Sequence, residues 1–380
     1  MRKLNKISYR KIQLAFKIKR PVLALGAHTK NTVCFIKDNC AFLSAEHLDL
    51  NCPEDLLGFE RDAKYFLNKQ PKVIAYDLHP EYQSTRYALS LNTKRYTLFA
   101  IQHHHAHIAA CMAENGLKNQ RAIGVSFDGT GLGQDNRIWG AEFLVCDYAN
   151  FKRAAHLKEI PLLGGKQAII EPARLTAAWL YLIYKDEFLN LGIDFVKKME
   201  KRRWIVYKRL LLSGFNSPLT SSMGRLFDAV GCLILAKHKV NFEAQLAIEL
   251  ERLATSYQLP AVSYRFSLTR NKDKYILDPT PMFKQIILDL KSDKPKEKIA
   301  YRFHLSIAQM INKVCLILSK ENRINTVVLS GGVFQNKLLL NLSLDLLYKH
   351  NFKVFTHKAL SCNDSSISLG QAVIASYLCV

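Results

Sequence analysis

Apolar positions along the chain follow two rhythms, short β-branched runs and longer amphipathic stretches, and the two alternate. From Pro21 the run Val22-Leu23-Ala24-Leu25-Gly26-Ala27, the polar stretch His28-Thr29-Lys30-Asn31 and the run Thr32-Val33-Cys34-Phe35-Ile36 predict a strand, a tight turn and a returning strand. Residues 53–70 set Leu56, Leu57 and Phe66 among charges behind Pro53, the pattern of a helix that opens on proline. Residues 73–76 predict a short buried strand, and 101–116 a helix ending near Gly116. The stretch 122–145 repeats the opening theme of strand, glycine-rich turn and returning strand. Residues 170–255 predict mostly helix, 270–299, rich in Lys, Asp and Pro, a surface excursion, and 326–336 a buried strand, a Gly-Gly turn and a helix start. Such alternation belongs to the α/β class. The two hairpins, about one hundred residues apart, predict two related lobes. The expected division is a loose basic arm at 1–20, a first lobe at 21–120 and a second at 121–380, with the last helix, 366–380, packing back on the first lobe.

Composition narrows this picture without redirecting it. A chain of 380 residues suits two lobes rather than one simple core, and 49% hydrophobic with 23% charged residues is ordinary for a globular protein. No run of 18 apolar residues occurs, so no membrane span is expected, and the first twenty residues do not read as a secretory signal. The cytoplasm is the expected compartment. Nine cysteines without one CxxC pair argue against a zinc ribbon or a disulfide framework, and most are expected to be reduced core residues. The net charge of +22 would attract polyanions. It is concentrated at 1–20 and from Lys197 to Arg209, with no regular interleaving of aromatic residues. A solvated basic surface explains it at least as well as a nucleic-acid site, so nucleic acid stays open as a partner but is not favoured.

Three constellations carry chemistry. In His103-His104-His105-Ala106-His107, four of the twelve histidines fall within five residues. On a helix His103 and His107 share a face, and two imidazoles one turn apart can hold a divalent ion. Carboxylates from elsewhere, Asp128 and Asp364, would complete the set, and imidazole with carboxylate suits iron or zinc. In Asp128-Gly129-Thr130-Gly131-Leu132-Gly133 the glycines would let backbone amides approach a phosphate, with Thr130 adding a hydroxyl. Asp-Gly is also a plain turn signal. Lys30 in the first turn could neutralise phosphate charge. Ser330-Gly331-Gly332-Val333-Phe334-Gln335-Asn336 follows a β-branched strand and precedes a helix, where bare backbone can support a base or ribose or simply close a tight connection.

In this order the constellations resemble the HypF family. The matching segments are 21–35, 79–88 (HPEYQSTRYA), 102–114 (QHHHAHIAACMAE), 126–144 (SFDGTGLGQDNRIWGAEFL), 220–231 (TSSMGRLFDAVG), 327–339 (VVLSGGVFQNKLL) and 363–373 (NDSSISLGQAV). The resemblance implies a two-lobed actin-like ATPase fold with duplicated hairpins, phosphate loops and helical insertions. It implies transfer of a carbamoyl group from carbamoyl adenylate to the C-terminal cysteine of a HypE-like protein, for the cyanide ligand of nickel-iron hydrogenase. It implies a metal on His103, His107, Asp128 and Asp364, and phosphate and adenosine loops at Lys30, Thr130, Gly131, Gly331 and Gly332 with Gly224, Asp228 and Asn336 beside them. His104 or His105 could act as general base toward the acceptor. No adenylate-forming module is visible, so a separate adenylate-forming (YrdC-like) domain or protein is expected as supplier. Two motifs depart from the family: NDSS stands for NDGG, and FEAQ at 242–245 for an EGQ-like run, where Ala244 could crowd a ligand. The alternatives are a small-molecule O-carbamoyltransferase, a threonylcarbamoyl-tRNA transferase, a sugar or acetate kinase, which would need no histidine metal site, and an inactive nucleotide-binding remnant.

Overall fold

The computed structural model describes residues 8–91 and 94–379, so part of the basic arm lies outside the described residues. Two sheets form the frame. The first runs in the order Tyr9–Gln13, Cys40–Ser44, Cys34–Lys37, Val22–Ala24, Val73–Asp77, Thr97–Ile101. Its first four strands are antiparallel and its last three are parallel to one another. The second runs Ser267–Asn271, Lys274–Asp278, Phe151–Leu157, Ile138–Cys146, Ala122–Leu132, Thr326–Ser330, Lys353–Phe355. Its centre repeats the scheme: the antiparallel hairpin of Ala122–Leu132 and Ile138–Cys146 gives way to parallel pairing with Thr326–Ser330 and Lys353–Phe355.

Two helices lie between the sheets, His103–Glu114 and Ile367–Leu378, and pack mainly on each other. They are buried nearly all round, as helices covered on every side must be. Ala106, Ile108, Ala109, Ala110, Leu369, Ala372 and Val373 join inner-face residues of both sheets in one cluster. The helices cross closely: a Cβ on Gly370 would lie 1.9 Å from the Ala106 carbonyl oxygen. A second cluster surrounds the larger sheet and its helices, and a third lies outside the first sheet under the helix Pro53–Leu67.

Three local expectations are corrected. Residues 9–13 are the edge strand of the first sheet, paired in register with Cys40–Ser44, rather than a loose lead-in. The segment 270–299 is structural: Lys274–Asp278 extends the second sheet, and the helix Thr280–Lys291 buries Met282, Phe283, Ile286 and Ile287. The glycine-rich stretch at 129–132 continues the strand Ala122–Leu132, and the reversal falls at 133–137. Among the described residues, no helix is long and apolar enough to cross a membrane. All nine cysteines are free thiols.

Candidate metal centre and nucleotide cleft

The histidine helix begins where Gln102, in extended conformation, accepts a hydrogen bond from the His105 amide at 2.9 Å, an N-cap. That start fixes which imidazoles face the second sheet. His103 and His107, both fully buried, aim their Nε2 atoms at Asp128 Oδ2, at 3.3 and 3.1 Å. Asp128 comes from the strand Ala122–Leu132. Asp364, from the one-turn helix Asp364–Ser366, places Oδ1 3.8 and 3.6 Å from the same two nitrogens. The four ligand atoms lie within 4.8 Å of one another. Behind them, His103 Nδ1 is 2.8 Å from Asp77 Oδ2, a carboxylate that fixes the imidazole's ring and tautomer as carboxylates behind metal ligands do. Asp77 Oδ1 accepts from the His79 amide at 3.0 Å.

Charge in the cluster is balanced by geometry. Burial disfavours the imidazolium of His103, but the Asp77 and Asp364 carboxylates and hydrogen bonding to Asp128 outweigh it and hold its pKa well above the ordinary value. The same competition, burial against Asp128 and Asp364, raises His107. Burial pushes Asp128 up, yet the two histidines hold it well below the usual carboxylate range. Two imidazole nitrogens and two carboxylate oxygens converging on one point fit a divalent ion with nitrogen and oxygen ligands, iron or zinc.

The cluster opens onto a cleft of about 630 Å³. Lys30, Thr130, Gly224, Asp228, Gly332 and Asn336 all line it, as do Asp128 and Asp364. Gly224 is needed for close approach, since a Cβ there would sit 2.9 Å from Gly129 Cα. Gly332 donates its amide to Asp128 Oδ1 at 3.3 Å, which ties the cleft floor to the metal cluster. Burial raises Asp228 to about 6, against the lowering effect of Arg225 beside it. Four other candidates sit elsewhere. Gly131 packs under the histidine helix, where a Cβ would lie 2.4 Å from His104 Cε1. Gly331 meets Phe127 backbone and donates to Cys362 O at 3.0 Å. His104 is buried against Gly131 with Nδ1 3.0 Å from Gln102 Nε2, and burial brings its pKa down to about 3. His105 Nε2 lies 2.6 Å from Asp147 O with its ring against Phe151, and burial brings it to about 4. Both imidazoles are packing residues, placed away from the cleft by the other faces of the helix.

The sequence did not single out three neighbours. Asp77 ends the buried strand at 73–77, and its only signal was a carboxylate closing an apolar run. Buried Arg225 leaves Nη1 without a hydrogen-bond partner among the described residues at the cleft edge, with Nη2 3.2 Å from Glu243 Oε1. His304 holds Asn336 from behind. Its Nδ1 donates to Ala300 O at 2.8 Å, so its Nε2, 3.0 Å from Asn336 Nδ2, accepts. Burial keeps it neutral, lowered to about 4. The Asn336 amide oxygen then caps the next helix through Leu339 N at 2.8 Å.

The two departures from the family pattern differ in consequence. In NDSS neither serine takes a positive φ, and the Asn363 side chain accepts from Ser365 N at 3.1 Å. Ala244 lines the cleft with φ +63°, the left-handed region that favours glycine. Ala244→Gly is therefore expected to raise stability by about 1 kcal/mol in chemical denaturation and to leave more room for a nucleotide. A loss of stability would show that the alanine is not strained.

Two family models match in chain order: the HypF Kae1-like domain over residues 17–114, and the carbamoyltransferase Kae1-like domain, second subdomain, over 124–371. Carbamoyltransferase HypF of a Synechocystis species is 36% identical over 368 residues, 93% of this chain and 46% of its own. A carbamoyltransferase HypF homolog of Cupriavidus necator is 32% identical over 363 residues, 93% of this chain and 91% of its own. The crystal structure of a full-length HypF, in a phosphate- and nucleotide-bound form, superposes with TM-score 0.90 at 37% identity, covering 97% of this chain and 48% of that one. That likeness carries the actin-like ATPase-type fold expected from the sequence. The chain spans about half the length of most of the curated relatives it matches. By both models and by a relative of nearly its own length, the chain belongs to the HypF family, of which it carries the Kae1-like carbamoyltransferase region.

Proposed function

We propose that this chain transfers a carbamoyl group from carbamoyl adenylate to the C-terminal cysteine of a HypE-like protein, with a separate adenylate-forming domain supplying the adenylate. The observation that carries the reading is the adjoining of a two-histidine, two-aspartate cluster and a cleft of nucleotide size, linked by Asp128. An iron or zinc ion held by His103, His107, Asp128 and Asp364 would supply Lewis-acid polarisation of the reacting carbonyl. The chain's own groups bind and orient. Lys30 and Thr130, which line the cleft, would meet the phosphate oxygens, and Asp228, Asn336 and the Gly224 backbone, which line it too, would meet ribose and base. The acceptor sulfur attacks the carbamoyl carbon as thiolate, the bond from that carbon to the phosphate oxygen breaks, and AMP leaves with the electron pair. The acceptor brings its own nucleophile, so no serine or cysteine of this chain is needed, and the burial of His104 and His105 argues against either as its base.

A tRNA acceptor finds less support. In the basic run from Lys197 to Arg209, Lys197 pairs with Asp194, Arg203 with Glu171 and Glu200, and Lys208 with Asp186. With carbamoyl adenylate supplied, mass spectrometry is expected to find one added carbamoyl group on the terminal cysteine of the HypE-like protein and none on bulk tRNA. Modified tRNA beside an untouched protein would move the chain to the tRNA class. No modification of either would leave the reading as a nucleotide-binding remnant.

A further inference from the structure

The metal helix ends on a buried carboxylate that the chemistry above does not use. Glu114, the last residue of His103–Glu114, has its side chain 4% exposed. Its Oε1 accepts three consecutive backbone amides, from Lys358 at 3.0 Å, from Ala359, and from Leu360 at 2.8 Å. Its Oε2 lies 2.6 Å from His357 Nδ1, and His357 Nε2 lies 2.9 Å from Ser330 Oγ. Next to it, Asn115 Nδ2 donates to Thr356 O at 2.9 Å.

The order serine, imidazole, carboxylate matches a nucleophile relay, but Ser330 is fully buried and does not line the cleft. No acyl donor can reach it. What the three residues join is more telling. Glu114 sits at one end of the helix whose other end carries His103 and His107. The segment 356–360 leads directly into Asn363 and Asp364. Ser330 precedes Gly331, which donates to Cys362 O, and Gly332, which donates to Asp128 Oδ1. The histidine helix, the segment leading to Asp364 and the strand end that carries Gly331 and Gly332 thus meet at one carboxylate and one imidazole. Burial alone would raise Glu114, yet the hydrogen bonds from His357 and the backbone hold its carboxyl below the ordinary value, so it acts as an ionised acceptor.

We propose that Glu114 and His357 are positioning residues, a lock that sets the Asp364 loop and the Gly331-Gly332 loop against the histidine helix before any ligand arrives. Partners hydrogen-bonded to metal ligands commonly govern affinity by about 10- to 100-fold, and Glu114 and His357, one step further out, are expected at the lower end of that range. The consequence for metal affinity rests on the metal-centre reading, while the consequence for loop order does not.

The test measures hydrogen exchange and Co²⁺ binding, the latter by its visible spectrum, in Glu114→Gln, His357→Phe and the milder His357→Asn, which keeps a donor toward Glu114. The comparison variant is Asp289→Asn, which removes a buried carboxylate serving Tyr264 in a distant part of the fold. In the metal-free protein, amide exchange across 356–366 is expected to rise at least about tenfold in Glu114→Gln and His357→Phe and less in His357→Asn. Co²⁺ affinity is expected to fall about tenfold or more, with an altered spectrum, while Asp289→Asn lowers the melting temperature alone. Unchanged exchange at 361–366, or a Co²⁺ affinity no lower than in Asp289→Asn, overturns the lock. If the wild-type protein binds no Co²⁺, the metal-centre reading fails and the exchange data alone decide the lock.

Discussion

Asp128→Asn is expected to leave a folded protein that has lost its metal and about three orders of magnitude in carbamoyl transfer, about 4 kcal/mol of transition-state stabilisation. The substitution is nearly isosteric, and its effect is confined to one atom. Asp128 Oδ1 accepts from Gly129 N at 2.8 Å and from Gly332 N at 3.3 Å, and an asparagine carbonyl oxygen can do both. Oδ2 is the atom that both His103 and His107 approach, and an amide nitrogen there presents hydrogens where a ligand lone pair is required. Elemental analysis of untagged protein, turnover with supplied carbamoyl adenylate and a thermal melt would be read together. A full metal complement in a well-folded Asp128→Asn protein would rule out the four-residue centre.

The second large effect concerns stability. Gly331→Ala is expected to lower the free energy of unfolding by about 3 kcal/mol, combining left-handed strain with overpacking. Gly331 has φ +101°, and a Cβ there would lie 2.2 Å from the Phe127 carbonyl oxygen and 2.7 Å from its carbon. Those atoms are backbone of the central strand Ala122–Leu132, held by partners on both sides, so they cannot yield as a side chain would. Gly332→Ala provides the contrast. Its φ is unexceptional and its Cβ would meet only the Asp128 carboxylate, at 3.0 Å. It should melt close to wild type while weakening nucleotide and metal binding. Denaturant titrations of the pair separate the roles, and equal stability of Gly331→Ala and wild type would show that the loop can open.

The convergence of His103, His107, Asp128 and Asp364 was legible because two of them share a helix face, a spacing fixed by 3.6 residues per turn, and the other two lay in segments that resemble the family. The same run of histidines misled about His104 and His105. Consecutive helical residues point in different directions, so a cluster in sequence is only a pair in space. Gly131 was misread for a related reason. Asp-Gly signals a turn, yet the strand continues, and the glycine answers to the imidazole packed on it. At 270–299 the average composition is charged, but Met282, Phe283, Ile286 and Ile287 form a stripe that averages conceal. Asp77 and His304 had no local signal. Each matters through one partner, 26 residues away for Asp77 and 32 for His304, and which buried polar groups meet is decided by topology.

The helix Ile367–Leu378 has a consequence for how the protein is made. Gln371, fully buried within it, accepts from Gly26 N at 2.9 Å and donates back to Gly26 O at 3.2 Å, a contact 345 residues apart in the chain. On a ribosome adding about 5–20 residues per second, the first sheet therefore waits on the order of tens of seconds for the helix that covers it. Through that interval Ala24, Ala75, Ala106 and Ile108 have no helix Ile367–Leu378 against which to bury. The nascent chain carries an adhesive apolar face until residues 367–378 emerge to cover it, and it is during this delay, rather than in the folded molecule, that a chaperone would bind it.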